Sequence, residues 1–221
     1  MEIFDILSAS KRAIEEKGYL DLFYRKMIWE CFGDMNYDTT DYNGVKYIID
    51  GYHLDSENIT PGLIKRVHLA KLCVEKVLPV WESKTNGDTR PKKVLNMTSL
   101  YLEGGTSVEA LYKEHTKLFN FAYRLADNSS SALYPEVALV SCSVAFMALV
   151  DEPIISNRVN KYDTDDDLEL DTSDAAYRAC WIYAHDTYDE QYDKEREVEF
   201  WNWYVDEAVP TVLKEKYYYG Q

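Results

Sequence analysis

Residues 60–82 read TPGLIKRVHLAKLCVEKVLPVWE, and this stretch sets the expected fold. Thr60 suits the cap of a helix, and Pro61 suits the first helical position, where no backbone N–H is needed. Pro79 should kink the helix near its end or start a new turn. Apolar residues recur every three or four positions, the spacing of one helix face: Leu63, Val67, Ala70, Val74, Val77 and Trp81.

The same helical spacing extends through most of the chain. It predicts helices over about 3–17, 20–32, 89–103, 107–125, 137–150, 173–190 and 194–216. The expected fold is therefore all-α, a bundle of about seven antiparallel helices in a single domain spanning residues 1–221. Residues 42–54 are ambiguous, because Asn43-Gly44 followed by an apolar run fits either a short β-hairpin or a helix turn.

The charge is large, negative and unevenly distributed. The chain of 221 residues carries a net charge of −15, and residues 151–221 contain 19 acidic and 7 basic residues. Binding to nucleic acid or to an anionic membrane is disfavoured, because both need clustered Lys and Arg. Long-range attraction favours a basic protein partner instead, although the same charge could serve only to keep the protein soluble.

Nothing in the sequence points to secretion, a membrane span or a cofactor. The four cysteines are far apart, without a zinc or disulfide spacing. The start of the chain lacks the pattern of a signal peptide, and the uncharged stretch Val137–Val150 is too short to cross a bilayer. The small residues of this stretch predict a tightly packed central helix instead. No phosphate loop, nucleophile elbow or metalloprotease motif is present. We expect a cytoplasmic protein without catalytic residues, metal or cofactor.

An acidic loop is predicted at 151–172. Its spacing resembles a calcium loop, but Leu168 stands where the sharp turn needs Gly, and Asp174 replaces the usual final Glu. A solvated or partner-docking loop is the favoured interpretation, and calcium binding stays open. The acidic side chains predicted to contact a partner are Asp163, Asp165, Asp166, Asp167, Glu169 and Asp171.

Aromatic residues in the last predicted helix form a second candidate interface. Trp201 lies on the apolar stripe with Val205 and Val209, which predicts a core position. Trp203 lies off that stripe, so Trp203 and its neighbour Tyr204 are predicted to face a partner. Aromatic rings among carboxylates form a surface that suits the Lys and Arg of a basic protein.

Trp81 belongs to a further motif that includes Asp88, Arg90 and Pro91. The proline-containing helix ends near an aromatic anchor, a turn follows, and the next helix opens at Asp88 or Thr89. Arg90 beside Asp88 can form a charge-assisted fork that fixes this turn. The predicted role of these residues is structural.

The same residues carry a resemblance to a known family. The order A-x-x-C-x-x-x-V-L-P-x-W-E, then D-x-R-P, resembles bacterial immunity proteins encoded beside polymorphic toxins, and the likeness covers about residues 68–105 and 135–149. It implies an all-helical fold, no catalytic activity and a cognate toxin domain as partner; it assigns no inhibitory residues. Charge alone favours a basic toxin, such as a nuclease. The alternative function is a helical scaffold or regulatory interaction module unrelated to toxins, and the oligomeric state is not indicated.

Overall fold

The computed structural model describes residues 2–33, 59–150, 164–168, 173–185 and 191–215. In these ranges the fold is all-α, as predicted, with eight helices if the last is counted as continuous. The first seven are α1 Ile3–Lys17, α2 Leu22–Glu30, α3 Pro61–Lys84, α4 Arg90–Leu102, α5 Val108–Asn128, α6 Leu133–Val150 and α7 Ala175–Ala184. Helix α8 begins as Lys194–Trp203, passes through a π-helical turn at Tyr204–Ala208 and ends as Val209–Lys214.

Two shorter elements complete the description. Residues Asp165–Asp167 form a 3₁₀ turn between α6 and α7. Within the described ranges, the only extended pairing is an isolated antiparallel bridge between His185 and Tyr192. The predicted β-hairpin or helix turn at 42–54 lies outside the described residues.

Helix α3 starts as its sequence predicts and runs further than Pro79 suggested. The Thr60 hydroxyl accepts a hydrogen bond from the Leu63 N–H at 3.0 Å, and Pro61 takes the first helical position. The helix continues through the exposed Pro79 to Lys84. A proline removes one backbone hydrogen bond, and the fully buried Trp81 two residues later holds the last turn against the core.

Helix α6 lies at the centre of the bundle. It packs against α3, α4, α5 and α7. Its middle is buried on nearly every side, including the polar Ser141, whose hydroxyl is satisfied by the Val137 carbonyl at 2.7 Å. The small side chains Ala138, Ala145 and Ala148 are fully buried, so neighbouring helices can approach closely. This arrangement agrees with the tightly packed central helix expected from its composition.

Helix α7 is shorter than the predicted 173–190. It ends at Ala184, because His185 takes an extended conformation and enters the bridge with Tyr192. A buried ion pair joins α7 to α6: Arg178 Nε donates to Glu136 Oε1 at 2.6 Å. Arg178 also donates to the Ser143 hydroxyl at 2.6 Å, so hydrogen bonds offset the cost of burying its charge.

No described helix combines the length and the apolar character that a membrane span requires.

Candidate partner-binding surface

Asp165, predicted to contact a partner, is instead bound inside the protein. Both of its carboxylate oxygens accept hydrogen bonds from the Arg25 guanidinium, one of them from Nη1 at 3.1 Å. The Leu22 N–H, at the start of α2, also donates to Asp165 at 3.2 Å. The structure therefore corrects the prediction for this residue: Asp165 fastens the 3₁₀ turn to α2.

Arg25 is the centre of a buried cluster. Its Nε and Nη2 donate to Asp174 Oδ2 at 3.0 and 2.8 Å. The rings of Tyr177 and Trp201 lie 5.3 and 5.2 Å from the guanidinium carbon, within cation–π range. Burial disfavours the charged guanidinium, but the carboxylates of Asp174 and Asp165 outweigh burial and raise the pKa of Arg25.

Asp174 binds Arg25 with one carboxylate oxygen and the start of α7 with the other. Its Oδ1 accepts from the backbone N–H groups of Ala176 and Tyr177 at 3.0 and 3.2 Å, which caps α7. Burial raises the pKa of Asp174 above its ordinary value, and the neighbouring Arg25 offsets part of that rise. The acidic turn, α2, α7 and α8 thus meet at a single guanidinium.

The other acidic candidates fall into two groups. Asp166 is exposed beside Asp165, whereas Asp167 is described only by its place on the turn. Asp163, Glu169 and Asp171 lie outside the described residues. Among the residues that are described, no three His, Cys, Asp or Glu side chains group as metal ligands; much of the calcium-like segment is not among them.

The two aromatic candidates of α8 differ in exposure. Tyr204 is 0% exposed and packs against the Trp201 ring at 5.7 Å, so the prediction that it faces a partner is wrong. Tyr204 lies three residues after Trp201, a spacing that puts both side chains on the same buried face of the helix. Trp203 is half-buried, and the Lys76 ammonium lies 4.5 Å from its ring centroid.

The Trp81 motif connects α3 to α4. Trp81 is fully buried, and its indole N–H donates to the Asp88 carbonyl at 2.7 Å. The Asp88 carboxylate accepts from the Arg90 side chain and from its backbone N–H at 2.9 Å, which lowers the pKa of Asp88. Arg90 also covers the Phe121 ring of α5 at 3.4 Å, and Pro91 is buried. These contacts are those of a structural turn.

Several carboxylates of the C-terminal third are bound within the protein. Lys11 of α1 pairs with Asp206, Lys194 pairs with Glu197 at 2.6 Å, and the Tyr183 hydroxyl donates to Glu199 at 2.7 Å. Part of the negative charge is therefore compensated internally. Among the described residues of α8, Glu195 and Glu207 remain exposed without an ion pair.

Sequence reasoning missed a set of exposed aromatic side chains. Phe23 and Tyr192 are 54% and 51% exposed, and Tyr19 is 38% exposed. A second set, Phe119 and Tyr123, lies on α5, where the rings of Tyr112, His115, Phe119 and Tyr123 follow one another along the helix. The sequence could have indicated these exposed residues, because Phe23 and Tyr123 are large aromatic residues outside the apolar stripes of their helices.

An all-α bundle whose surface presents aromatic rings beside carboxylates has the features of a protein-binding module. Comparison with known protein families identifies the kind of protein-binding module. The immunity protein family Imm5 matches residues 8–211, which is most of the chain. The chain therefore belongs to the Imm5 immunity protein family, in agreement with the resemblance carried by residues 68–105 and 135–149. A comparison with curated proteins found no match.

Proposed function

We propose that this protein neutralises a cognate bacterial toxin in the cytoplasm by stoichiometric binding, without turnover. Membership of the Imm5 immunity protein family supports the general role. Inhibition by occlusion needs only a stable complementary interface that covers the toxin's active site or blocks access to it.

The concentration of negative charge in residues 151–221 is the observation that carries the proposed mode of binding. This segment holds 19 acidic and 7 basic residues, against a net charge of −15 for the whole chain. A partner of opposite sign is attracted over long range and associates faster. A nuclease must bind phosphates and so carries basic residues, which makes a basic nuclease domain the favoured kind of toxin.

Because Asp165 is paired with Arg25, it no longer belongs to the set of acidic residues proposed to bind the toxin. Asp165 holds its turn through Arg25, so removing its charge would disturb the fold as well as the surface. Asp166 is exposed and belongs to the same turn. Asp163, Asp167, Glu169 and Asp171 remain proposed contributors on the strength of their charge.

The test is a co-expression and binding experiment with the toxin domain encoded beside this protein. Wild-type protein should rescue cells that express the toxin and should form a complex of fixed ratio in isothermal titration calorimetry. The proposed function would be contradicted if the wild-type protein neither rescued the cells nor bound the toxin domain.

A charge variant then tests the acidic mode of binding. Asp163→Asn, Asp166→Asn, Asp167→Asn, Glu169→Gln and Asp171→Asn are combined while Asp165 is kept. Association at low salt should slow about tenfold or more and lose most of its salt dependence. The matched control neutralises five acids elsewhere: Glu15, Glu30, Glu82, Glu103 and Asp127. Equal effects of the two variants would show that net charge matters and that the acidic segment has no special part.

A further inference from the structure

Contacts bring together, on one face of the protein, the turn between α1 and α2, the start of α8 and the 3₁₀ turn. Lys194, at the start of α8, lies 5.2 Å from the Tyr19 ring centroid and donates to Glu197 Oε2 at 2.6 Å. The Tyr192 hydroxyl donates to the same carboxylate oxygen. The turn between α1 and α2 therefore lies against the segment that leads into α8.

The 3₁₀ turn reaches this face from the other side. Asp165 binds the Leu22 N–H at 3.2 Å, next to Phe23. Arg25 connects Asp165 to the Tyr177 ring, and the charges of Asp165 and Glu197 both raise the pKa of Tyr177, after the larger effect of burial. Contacts thus join Tyr19 to the start of α8, and they join the 3₁₀ turn to both α2 and α7 through Arg25.

We propose that this face, which we call the tyrosine–acid face and define by Tyr19, Phe23, Asp166 and Tyr192, is the surface that docks the toxin. The occupant is a basic protein surface whose Lys or Arg side chains stack on the rings and pair with the carboxylates. This inference rests on the proposed function and names the surface that performs it.

Charge decides between this face and the other exposed aromatic surface. Residues 17–26, 164–168 and 191–199, which form and surround the tyrosine–acid face, carry eight acidic and five basic residues. The region of α4 and α5 that presents Phe119 and Tyr123 carries five acidic and six basic residues between positions 88 and 128. A basic partner is attracted to the first surface and gains nothing from the second.

The exposed rings give the face anchors as well as attraction. Aromatic side chains bury large areas on binding and lose little conformational freedom, so a few of them can supply most of an interface's free energy. Lys17 and Lys194 already lie 5.8 and 5.2 Å from the Tyr19 ring centroid, which shows that this ring accepts cations in the free protein. A partner's cation can add to or replace these contacts.

The experiment compares two matched double variants in the full-length protein. Phe23→Ser with Tyr192→Ser alters the tyrosine–acid face, and Phe119→Ser with Tyr123→Ser alters α5. The first should weaken toxin binding at least about 30-fold, and the control less than about threefold. Thermal melting of each free variant checks that the fold is kept. A third variant, Asp166→Lys, reverses one exposed charge and should slow association with no loss of stability.

Each result has a definite meaning. Unchanged toxin affinity in a folded Phe23/Tyr192 variant, or a larger loss in the α5 variant, overturns the docking surface and leaves the proposed function standing. Failure of the wild-type protein to bind the toxin overturns both. If light scattering shows a wild-type dimer that the Phe23/Tyr192 variant converts to monomer with toxin affinity intact, the face belongs to a second copy of this chain and the inference is wrong.

Discussion

The guanidinium of Arg25 and the carboxylate of Asp174 are 149 positions apart in the chain and form two hydrogen bonds, of 3.0 and 2.8 Å. Asp165 binds the same guanidinium. An unpaired charge cannot be kept out of water cheaply, so the three groups are stable only as a set. They make the position of the acidic turn depend on α2.

Replacing Arg25 by Met should destabilise the protein by about 3–5 kcal/mol, because the buried Asp174 and the partly buried Asp165 lose their counter-charge. Urea denaturation followed by circular dichroism measures the change. Arg12→Met, on the exposed side of α1, is the matched control and should change the free energy of unfolding by less than about 0.5 kcal/mol. A loss below about 1 kcal/mol for Arg25→Met would mean that the cluster is dispensable.

His115 should make the protein sensitive to mild acid. Its Nδ1 is buried without a hydrogen-bond partner in the described part of the chain, and burial lowers the pKa of His115 to about 4. In the unfolded chain the pKa lies near 6.5. Stability from this residue is complete above pH 6.5 and is lost as the pH falls towards 4, by about 3 kcal/mol in total.

NMR titration of the His115 ring measures its pKa directly, and urea midpoints at pH 7 and pH 5 measure the linkage. His115→Phe should remove most of this fall in stability between the two pH values, whereas His68→Gln should retain it. A His115 pKa near 6.5 in the folded protein would refute the prediction.

Trp81→Phe should cost about 2–4 kcal/mol, because it opens space in the core and leaves the Asp88 carbonyl without the indole N–H. Arg90→Ala, which removes the exposed fork on Asp88, should cost no more than about 1 kcal/mol. Thermal or urea unfolding of each variant measures the two changes in the free energy of unfolding. Equal losses would show that the turn depends on the fork as much as on the buried indole.

Gly18 and Gly104 allow a test of local backbone strain against a specific contact. Both take positive φ angles, 78° and 75°, so Ala at either site should cost about 1–2 kcal/mol. A Cβ on Gly18 would also lie 2.8 Å from the Lys194 side chain, while one on Gly104 would meet nothing within 4 Å. Only Gly18→Ala should therefore shift the NMR signals of Lys194 and Val198, which are remote in sequence from both glycines. Identical spectra at those residues would contradict this contact.

The helices that the sequence predicted well are those whose signals are local. Helix α3 begins at Pro61 after the Thr60 cap, and helix α5 begins after the Ser107 cap. Each cap is a hydrogen bond between residues three positions apart, so the local sequence is enough to indicate it. The apolar composition of α6 predicted its central place, because a helix without a polar face must be covered on all sides. Local rules of this kind placed most of the helices.

The surface prediction failed at Asp165 and at Tyr204, for two different reasons. Within an acidic run, Asp165 is indistinguishable from Asp166, and only the distant Arg25 separates their roles. Tyr204 was assigned to the surface as the neighbour of Trp203, although its position three residues after Trp201 puts it on the buried stripe. The tyrosine–acid face joins three separate stretches of the chain, so no single stretch could have predicted it.

The Arg25 cluster also bears on the timing of protection. Arg25 leaves the ribosome about 150 residues before Asp174, which at 5–20 residues per second corresponds to roughly 7–30 s of further synthesis. Until then Arg25 lacks the Asp174 carboxylate, and the buried cluster is incomplete. A newly made chain therefore cannot complete this cluster until Asp174 has been synthesised, and a cell would have to begin making the protein before its toxin arrives.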